Sequence, residues 1–167
     1  MKLGKDIAAV VTGGASGLGG ATAQALAAHG VKVAILDLNA TLGEAHAKTI
    51  GGLYCAADVT KEDSVDAALA KARAAHGQER ILVNCAGIGI AKKITRRVKE
   101  TNKVEPHDLA TFVKVIQINL IGTFNVARLA AAAMAGNAPG ADGERGVIVN
   151  TASVAAFDGQ IGQAAYS

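Results

Sequence analysis

A glycine-rich run near the start of the chain has the residue types and spacing of a loop that holds phosphates. Residues 12–19 read Thr-Gly-Gly-Ala-Ser-Gly-Leu-Gly, between an apolar stretch and an Ala-rich stretch of helical period. Gly13 permits a tight turn, Gly17 lets the backbone approach a pyrophosphate, and Gly19 lets the helix pack closely, with its first amides facing the phosphates. A generic Gly-rich turn is the alternative, but the strand before it and the helix after it favour dinucleotide binding.

An acidic residue at the end of the second predicted strand bears on which dinucleotide binds. Asp37 follows Gly19 by 18 residues. A carboxylate at this position accepts hydrogen bonds from an adenosine ribose and repels a 2′-phosphate. An Asp at a strand end is often only a helix cap, but its spacing from the glycines favours the cofactor role. Because no Arg or Lys lies in the glycine-rich run or directly after Asp37, the sequence predicts NAD as the cofactor.

Short β-rich runs alternate with longer segments of helical period along the chain. We predict strands at residues 7–11, 31–36, 53–57, 81–84 and 147–150, and helices at 18–29, 41–50, 61–76 and 108–134. Thr60 is the expected N-cap of the helix at 61–76. Each strand is nearly continuously apolar, which indicates a parallel sheet covered by helices on both faces. The predicted fold class is therefore α/β, a doubly wound Rossmann sheet, with residues 1–167 in a single domain.

Composition and cysteine usage exclude several classes of protein. Half of the residues are apolar, 3% are aromatic and none is Trp, so Ala, Val, Ile and Leu must build the core. The two cysteines, without a CxxC pair or a His cluster, give neither a disulfide framework nor a metal site. No apolar run approaches the roughly 18 residues that a membrane span needs, and the N-terminus is not typical of a signal peptide. We expect a cytoplasmic protein with no membrane partner.

The positive charge is concentrated in one insertion-like segment, residues 89–107. This segment holds six basic and two acidic residues, whereas the rest of the chain holds eleven basic and twelve acidic residues. It is too long and too charged for an ordinary connection between elements. Binding of nucleic acid is disfavoured because no aromatic residues interleave with the charges.

Five motifs, in order along the chain, resemble those of the short-chain dehydrogenase/reductase family. They are TGxxxGxG from Thr12, the pair Asp58-Val59, the segment Asn84-Cys85-Ala86-Gly87, Asn119 followed by Gly122, and Ser153 placed 13 residues before Tyr166. Cys85 is a departure, because the family has a second Asn there. Segment 84–88, the insertion, and segments 146–157 and 159–167 resemble the type 2 3-hydroxyacyl-CoA dehydrogenase branch, which also acts on some hydroxysteroids. The resemblance runs from residue 6 to the last residue.

The resemblance implies a cofactor site, a substrate class and an assembly. The residues expected at the NAD site are Gly13, Ser16, Gly17, Leu18, Gly19, Asp37, Asp58, Val59, Asn84, Cys85, Ala86 and Gly87. Among them Asp58 and Val59 match the pair that holds the adenine. The implied substrate is a small molecule, a 3-hydroxyacyl-CoA or a similar secondary alcohol, and the implied assembly is a homotetramer. The excess charge of residues 89–107 would attract the CoA phosphates, although a solvated loop or a subunit contact is an equal alternative.

The resemblance also implies the catalytic residues. Tyr166 would be the acid/base, Ser153 would orient the substrate oxygen, and Asn119 would hold backbone or a relay water. Gln160 or Gln163 would touch the substrate. A free tyrosine has a pKa of about 10, so nearby positive charge, from a Lys four residues later and from the oxidised nicotinamide, must lower it.

That Lys would fall three positions past Ser167. We therefore expect the sequence to be part of a longer protein, and the 167 residues alone to be inactive. The alternative is a protein that binds NAD, or acts as a scaffold, without catalysis. A Lys three codons beyond Ser167 would favour the enzyme.

Overall fold

The computed structural model describes all 167 residues, which divide into two compact units. The first unit consists of Met1–Ala86 and Gly122–Thr151, and the second of Gly87–Ile121 and Ala152–Ser167. The strands are β1 (Ala8–Thr12), β2 (Lys32–Asp37), β3 (Leu53–Ala56), β4 (Ile81–Asn84), β5 (Thr95–Arg97), β6 (Val104–Pro106) and β7 (Val147–Asn150). The α-helices are α1 (Gly17–Ala28), α2 (Ala40–Ile50), α3 (Glu62–His76), α4 (Leu109–Ile116) and α5 (Thr123–Met134).

The first unit is built on a five-stranded sheet in the order β3-β2-β1-β4-β7, with every pair of neighbours parallel. On one face Ala9 and Val11 pack in a cluster with Ala23 of α1 and Ala47 of α2. Helices α3 and α5 contact each other and the strands as well, and Val10, which alternates with Ala9 and Val11, is also buried. Both faces are therefore covered, and the predicted doubly wound α/β fold is confirmed.

The order of the strands places the candidate cofactor residues. Connections from β1 run outward to β2 and β3, whereas β4 and β7 lie on the other side of β1. The direction of winding thus reverses between β1 and β4. In open α/β sheets ligands bind outside the carboxyl ends of the strands at this point of reversal.

One local prediction is wrong, and two features of the fold were not predicted. Helix α3 begins at Glu62 with Lys61, and not the predicted Thr60, as its N-cap. The hydroxyl of Thr60 donates to the carboxylate of Asp58 instead of capping the helix. The predicted helix at 108–134 begins at Leu109, and residues Gln117–Gly122 within it form a π-helical turn. Residues 89–107, expected to be an insertion, contain the antiparallel hairpin of β5 and β6, for which no strands were predicted.

One helix is long and apolar enough to cross a membrane, judged by length and composition alone. It comprises the 26 residues Leu109–Met134, and 22% of its most apolar window is buried. The expectation that no run approaches this length is therefore wrong. A single helix of this kind is weak evidence for a span, because core helices of soluble proteins pass the same test.

Candidate functional site

The glycine-rich loop connects β1 to α1 by a turn that needs glycine. Gly13 has φ of +63°, in the left-handed region that favours glycine, and its N–H donates to the carbonyl of Leu36 at 2.8 Å. A Cβ on Gly13 would lie 2.8 Å from the backbone nitrogen of Ala86. A larger residue at this position would therefore force the end of β4 away from the loop.

The N-terminus of α1 is open to solvent. Gly17, the first helical residue, has φ of +54°, and a Cβ added there would meet nothing. A Cβ on Gly19 would overlap the carbonyl oxygen of Gly13, so helix and loop can approach only without a side chain at this position. Ser16 is the N-cap without a side-chain hydrogen bond, and Ser16, Gly17 and Leu18 are all exposed. The first amides of the helix, which lack intrahelical partners, thus face open space that a phosphate can fill.

The carboxylate of Asp37 joins the glycine-rich loop to the end of β2. Its Oδ2 accepts from the N–H of Ala15 at 3.1 Å, and its Oδ1 accepts from the N–H of Asn39 at 2.9 Å. The N-cap of α2 is Asn39, whose side chain accepts from Leu42 at 3.0 Å. The alternative that Asp37 is only a helix cap is therefore wrong.

Tyr54 of β3 forms a hydrogen bond with the backbone of Asp37, and the sequence analysis gave it no role. Its hydroxyl donates to the carbonyl of Asp37 at 2.9 Å, and its ring lies where a Cβ on Gly43 would be. Burial, and then the negative charge of Asp37, raise the pKa of Tyr54, so the hydroxyl stays protonated and remains a donor. A tyrosine within a short strand gives no sequence signal for this contact.

A row of polar side chains joins the carboxyl ends of β1, β4 and β7. The hydroxyl of Thr12 donates to Oδ1 of Asn84 at 3.3 Å, and Nδ2 of Asn84 donates to Oδ1 of Asn150 at 2.9 Å. The same hydroxyl accepts from the N–H groups of Cys85 and Ala86, each at 3.1 Å. Thr12 is 1% and Asn84 3% exposed, so these buried and hydrogen-bonded side chains fix the segment after β4. The sequence analysis identified Asn84, named Thr12 only as the first residue of the glycine-rich motif, and missed Asn150, whose only signal is a polar residue ending an apolar strand.

Cys85 is half-buried, and its sulfur accepts from the hydroxyl of Thr151 at 3.3 Å. It therefore occupies the position of the family's second Asn as a packed and hydrogen-bonded side chain.

The residues expected at the adenine lie in the loop between β3 and α3. Oδ1 of Asp58 accepts from the hydroxyl and the N–H of Thr60 at 2.7 and 3.0 Å, and Nζ of Lys61 lies 3.7 Å from Oδ2. These contacts, the hydroxyl of Thr60 foremost, lower the pKa of Asp58. The N–H of Asp58 donates to the hydroxyl of Ser64 at 2.9 Å, and the next residue, Val59, is buried.

In the second unit Asn119 forms two hydrogen bonds with the backbone that follows β4. Its Oδ1 accepts from the N–H of Ile88 and its Nδ2 donates to the carbonyl of Ile88, both at 2.9 Å. Asn119 lies in the π-helical turn, and a Cβ on Gly87 would come within 3.4 Å of its Oδ1. The resemblance implies that Asn119 holds either backbone or a relay water, and these hydrogen bonds are contacts with backbone.

The remaining catalytic candidates lie in the final segment of the second unit. Ser153 is the N-cap of a short 3-10 helix, Val154–Ala156, and its oxygen accepts from the N–H of Ala155 at 3.3 Å. The hydroxyl proton of Ser153 remains available for another acceptor. Tyr166 is 36% exposed, and no hydrogen bond joins it to Ser153.

The candidate substrate residues Gln160 and Gln163 share one turn. The N–H of Gln163 donates to the carbonyl of Gln160 at 3.0 Å, and the side-chain oxygen of Gln163 is buried without a partner. The turn is fixed at Gly162, whose carbonyl accepts from the N–H of Lys92 at 2.6 Å. The turn that carries both glutamines is therefore attached to the start of the basic segment.

The basic side chains of residues 89–107 fall into two groups. Lys92 forms an ion pair with Asp108. This ion pair, and then the hydrogen bond from the hydroxyl of Thr111, lower the pKa of the Asp108 carboxyl. Arg96 pairs with Glu105 at 3.2 Å across the hairpin, and Arg97 donates to the backbone and side chain of Asn102. The basic side chains of this segment that form no ion pair or side-chain hydrogen bond are those of Lys93, Lys99 and Lys103.

Comparisons with known proteins place these arrangements in context. Residues 7–167 match a family model described as short chain dehydrogenase. The chain is 52% identical over 165 residues to 3-hydroxyacyl-CoA dehydrogenase type-2 of Homo sapiens, covering 98% of this chain and 62% of that protein. It is 35% identical over 147 residues to the mitochondrial borneol dehydrogenase of Lavandula x intermedia, covering 88% of this chain and 51% of that protein. The crystal structure of 3-hydroxyacyl-CoA dehydrogenase type-2 from Mycobacterium avium superposes with a TM-score of 0.89 at 43% identity, covering 99% of this chain and 64% of that one.

Proposed function

The chain belongs to the short-chain dehydrogenase family, and from that premise we propose that it is part of an NAD-dependent oxidoreductase interconverting a secondary alcohol and a ketone. Relatives named 3-hydroxyacyl-CoA dehydrogenase type-2 support a 3-hydroxyacyl-CoA and its 3-ketoacyl-CoA as the substrate pair. The chain spans about three-fifths of the length of these relatives, so the activity is proposed for the full-length protein. The observation that carries the proposal is the hydrogen bond between the carboxylate of Asp37 and Ala15, because it joins a negative charge to the glycine-rich loop.

The residues of the first unit fit a dinucleotide with an unmodified ribose. The open N-terminus of α1 offers amides to the pyrophosphate, and Gly17 leaves room for it. Asp37 accepts from the ribose hydroxyls, and its charge disfavours a 2′-phosphate. Asp58 and Val59 are proposed to border the adenine. The oxidised nicotinamide, when bound, supplies the acceptor for the hydride.

The proposed chemistry uses three side chains of the second unit. Ser153 donates its free hydroxyl proton to the substrate oxygen, since its own oxygen already accepts from Ala155. Tyr166 as a phenolate removes the proton of the substrate hydroxyl during oxidation, and returns it during reduction. Asn119 holds the backbone at Ile88 through both of its amide atoms and so keeps this segment in one conformation.

The three lysines without partners, Lys93, Lys99 and Lys103, support a CoA ester as the substrate. Side chains engaged in ion pairs contribute little net field, whereas free ammonium groups attract phosphates over a Debye length of about 10 Å at 0.1 M salt. We assign the attraction of the CoA phosphates to these lysines and to Arg97, whose partner Asn102 is neutral.

The proposal is tested by following NADH consumption by the full-length protein with acetoacetyl-CoA and, separately, with an uncharged ketone. Turnover is expected with NADH, in preference to NADPH, and with a higher kcat/KM for the CoA ester. Ser153→Ala should retain NADH binding while losing most of the turnover. Absence of NADH consumption with 3-ketoacyl-CoA esters of any chain length would contradict the proposed substrate. The homotetramer and the cytoplasmic location stay predictions, which light scattering and cell fractionation would test.

A further inference from the structure

Two residues of α5, Asn125 and Arg128, lie outside every motif identified in the sequence and are directed at the loop that carries Asp58 and Val59. Asn125 is 7% exposed, one of very few buried polar side chains in the chain. Its Nδ2 donates to the carbonyl of Val59 at 3.0 Å, across 66 residues of sequence. A buried amide requires partners, and the partner of the Asn125 NH2 group is on the loop between β3 and α3.

The orientation of the Asn125 amide follows from the chemistry of its two neighbours. Nη2 of Arg128 lies 2.8 Å from the Oδ1 of Asn125. A guanidinium group can only donate, so the oxygen of the amide must face Arg128, and its NH2 group must face Val59. The carbonyl of Val59 can only accept, which agrees with the same orientation. The two contacts together leave a single arrangement of the side chain.

Arg128 extends the contact to the start of the next helix. It forms an ion pair at 2.7 Å with Glu62, the first residue of α3. Asn125 and Arg128 are three residues apart and so lie on one face of α5. One face of α5 therefore holds the loop at Val59 and the helix start at Glu62.

The hydrogen bonds of Asp58 are local. The carboxylate of Asp58 accepts from Thr60, and the N–H of Asp58 donates to Ser64, so both bonds stay within the loop and the first turn of α3. The loop is joined to the sheet at its first residue, where the N–H of Ala57 donates to the carbonyl of Asp37 at 3.1 Å, but this bond does not reach Val59, two residues further on. The bond from Asn125 is the side-chain hydrogen bond that reaches Val59.

We propose that Asn125 is a positioning residue for the adenine half of the cofactor, with Arg128 fixing its amide. Asn125 touches neither the proposed cofactor nor the substrate, and it acts by holding the carbonyl of Val59. The inference rests on the proposed function, since it takes residues 58 and 59 as the border of the adenine. It predicts that loss of the Asn125 donor weakens binding of the adenine half of the cofactor and spares the nicotinamide half.

The test uses Asn125→Asp in the full-length protein. Aspartate keeps the volume and the acceptor for Arg128, but it places an oxygen against the carbonyl of Val59 in place of a donor. The dissociation constants of NADH and of AMP should rise about threefold to tenfold, the loss of one hydrogen bond. The dissociation constant of reduced nicotinamide mononucleotide, which lacks the adenosine, should not change. NADH fluorescence measures these constants directly or by competition.

Asn137→Asp is the matched control. The Nδ2 of Asn137 also donates to backbone carbonyls, of Glu79 at 3.2 Å and of Arg145 at 2.8 Å. Glu79 precedes β4, so this contact lies at the amino end of that strand, opposite the candidate cofactor residues. The control should lower the melting temperature and leave all three dissociation constants unchanged.

Each outcome supports or overturns the inference. Unchanged affinity for NADH and AMP in Asn125→Asp, or equal weakening of the adenine and nicotinamide halves, would show that Asn125 serves only the fold. If Asn125→Asp does not fold, Arg128→Met decides the matter, since a side chain 37% exposed tolerates replacement and its loss frees the amide to rotate. The same selective weakening is expected, to a smaller extent. Failure of the unmodified protein to bind NADH would instead overturn the proposed function, and this inference with it.

Discussion

The carboxyl ends of the sheet strands and the segment 152–167 differ in how far their polar groups find partners inside the chain. The hydroxyl of Thr12 and the amide of Asn84 are buried and engaged in a row of hydrogen bonds across three strands. Ser153 keeps a hydroxyl proton to donate, and Tyr166 is 36% exposed. The candidate cofactor residues are thus positioned by the folding of the sheet itself, whereas the candidate catalytic residues retain unused hydrogen-bonding capacity.

The largest effect is expected on kcat, from a change in segment 152–167, where side chains keep unused hydrogen-bonding capacity. Tyr166→Phe in the full-length protein should lower kcat by about 10²- to 10⁴-fold, the range for loss of a general acid/base, and leave the affinity for NADH unchanged. The comparison is Tyr54→Phe, which removes the hydroxyl bound to Asp37 and should change the KM for NAD and little else. Steady-state kinetics with both variants measures this. Equal effects of the two changes on kcat would contradict the distinction between the two regions.

The second effect is expected in the partnered region and concerns stability. Thr12→Val preserves shape but leaves the N–H of Ala86 without its acceptor and the N–H of Cys85 with only the backbone carbonyl of Thr12, which should lower the free energy of unfolding by about 1–3 kcal/mol. Thr49→Val is the control, because Thr49 is exposed on α2 and its change should stay within about 0.5 kcal/mol. Urea unfolding of both variants decides the question. Similar losses at the two positions would mean that the row of hydrogen bonds adds no stability.

A smaller effect is expected from the free charges of the basic segment. Replacing Lys93, Lys99 and Lys103 with Gln should raise the KM for a 3-ketoacyl-CoA about threefold at low salt, and leave the KM for an uncharged ketone unchanged. The difference should fade as salt shortens the Debye length. Replacing Lys2, Lys5 and Lys48, which lie outside the segment, removes the same charge and serves as the control. An equal response of the two substrates would assign the segment to another role.

The smallest effect is expected at the loop between β3 and α3, and it depends on pH. Because the folded pKa of Asp58 is lowered, its contribution to stability is present above the unfolded value of about 4 and is lost as pH falls through the folded pKa. Thr60→Val removes the largest cause of the shift, so the pKa of Asp58 should rise and the stability at neutral pH should fall by less than about 1 kcal/mol. Thr60→Ser should restore both. NMR titration of the Asp58 carboxyl and urea unfolding at neutral and acidic pH measure the change, and an unaltered pKa in Thr60→Val would contradict it.

The parts of the molecule that could be predicted from the sequence depend on local requirements. Gly13 and Gly17 have positive φ, and Gly19 abuts the carbonyl oxygen of Gly13 six residues earlier, so the requirement for glycine arises within the loop itself. The strands could be predicted because burial on both faces leaves an unbroken apolar run, as in residues 33–36. Asp37 could be predicted because its distance from the glycines follows from the length of one helix and one strand.

The parts that could not be predicted depend on contacts between distant segments or on competition between partners. Asn125 reaches Val59 across 66 residues, and no periodic pattern marks it. Thr60 has the residue type of an N-cap, but Asp58 two residues away accepts its hydroxyl first. The π-helical turn around Asn119 and the short, exposed strands β5 and β6 carry no apolar period that would distinguish them from helix and loop.

The central claim, that a carboxylate joined to the glycine-rich loop selects NAD, is tested most directly by titrating the full-length protein with NADH and NADPH. NADH should bind about tenfold or more tightly than NADPH. Asp37→Asn removes the charge while keeping one oxygen that can accept from Ala15. It should therefore reduce the difference between the NADH and NADPH affinities with little loss of NADH affinity. Asp37→Ala also removes the hydrogen bond from Ala15, so it should weaken the binding of both cofactors and reduce the difference between their affinities. Equal affinity of the unmodified protein for NADH and NADPH would contradict the account.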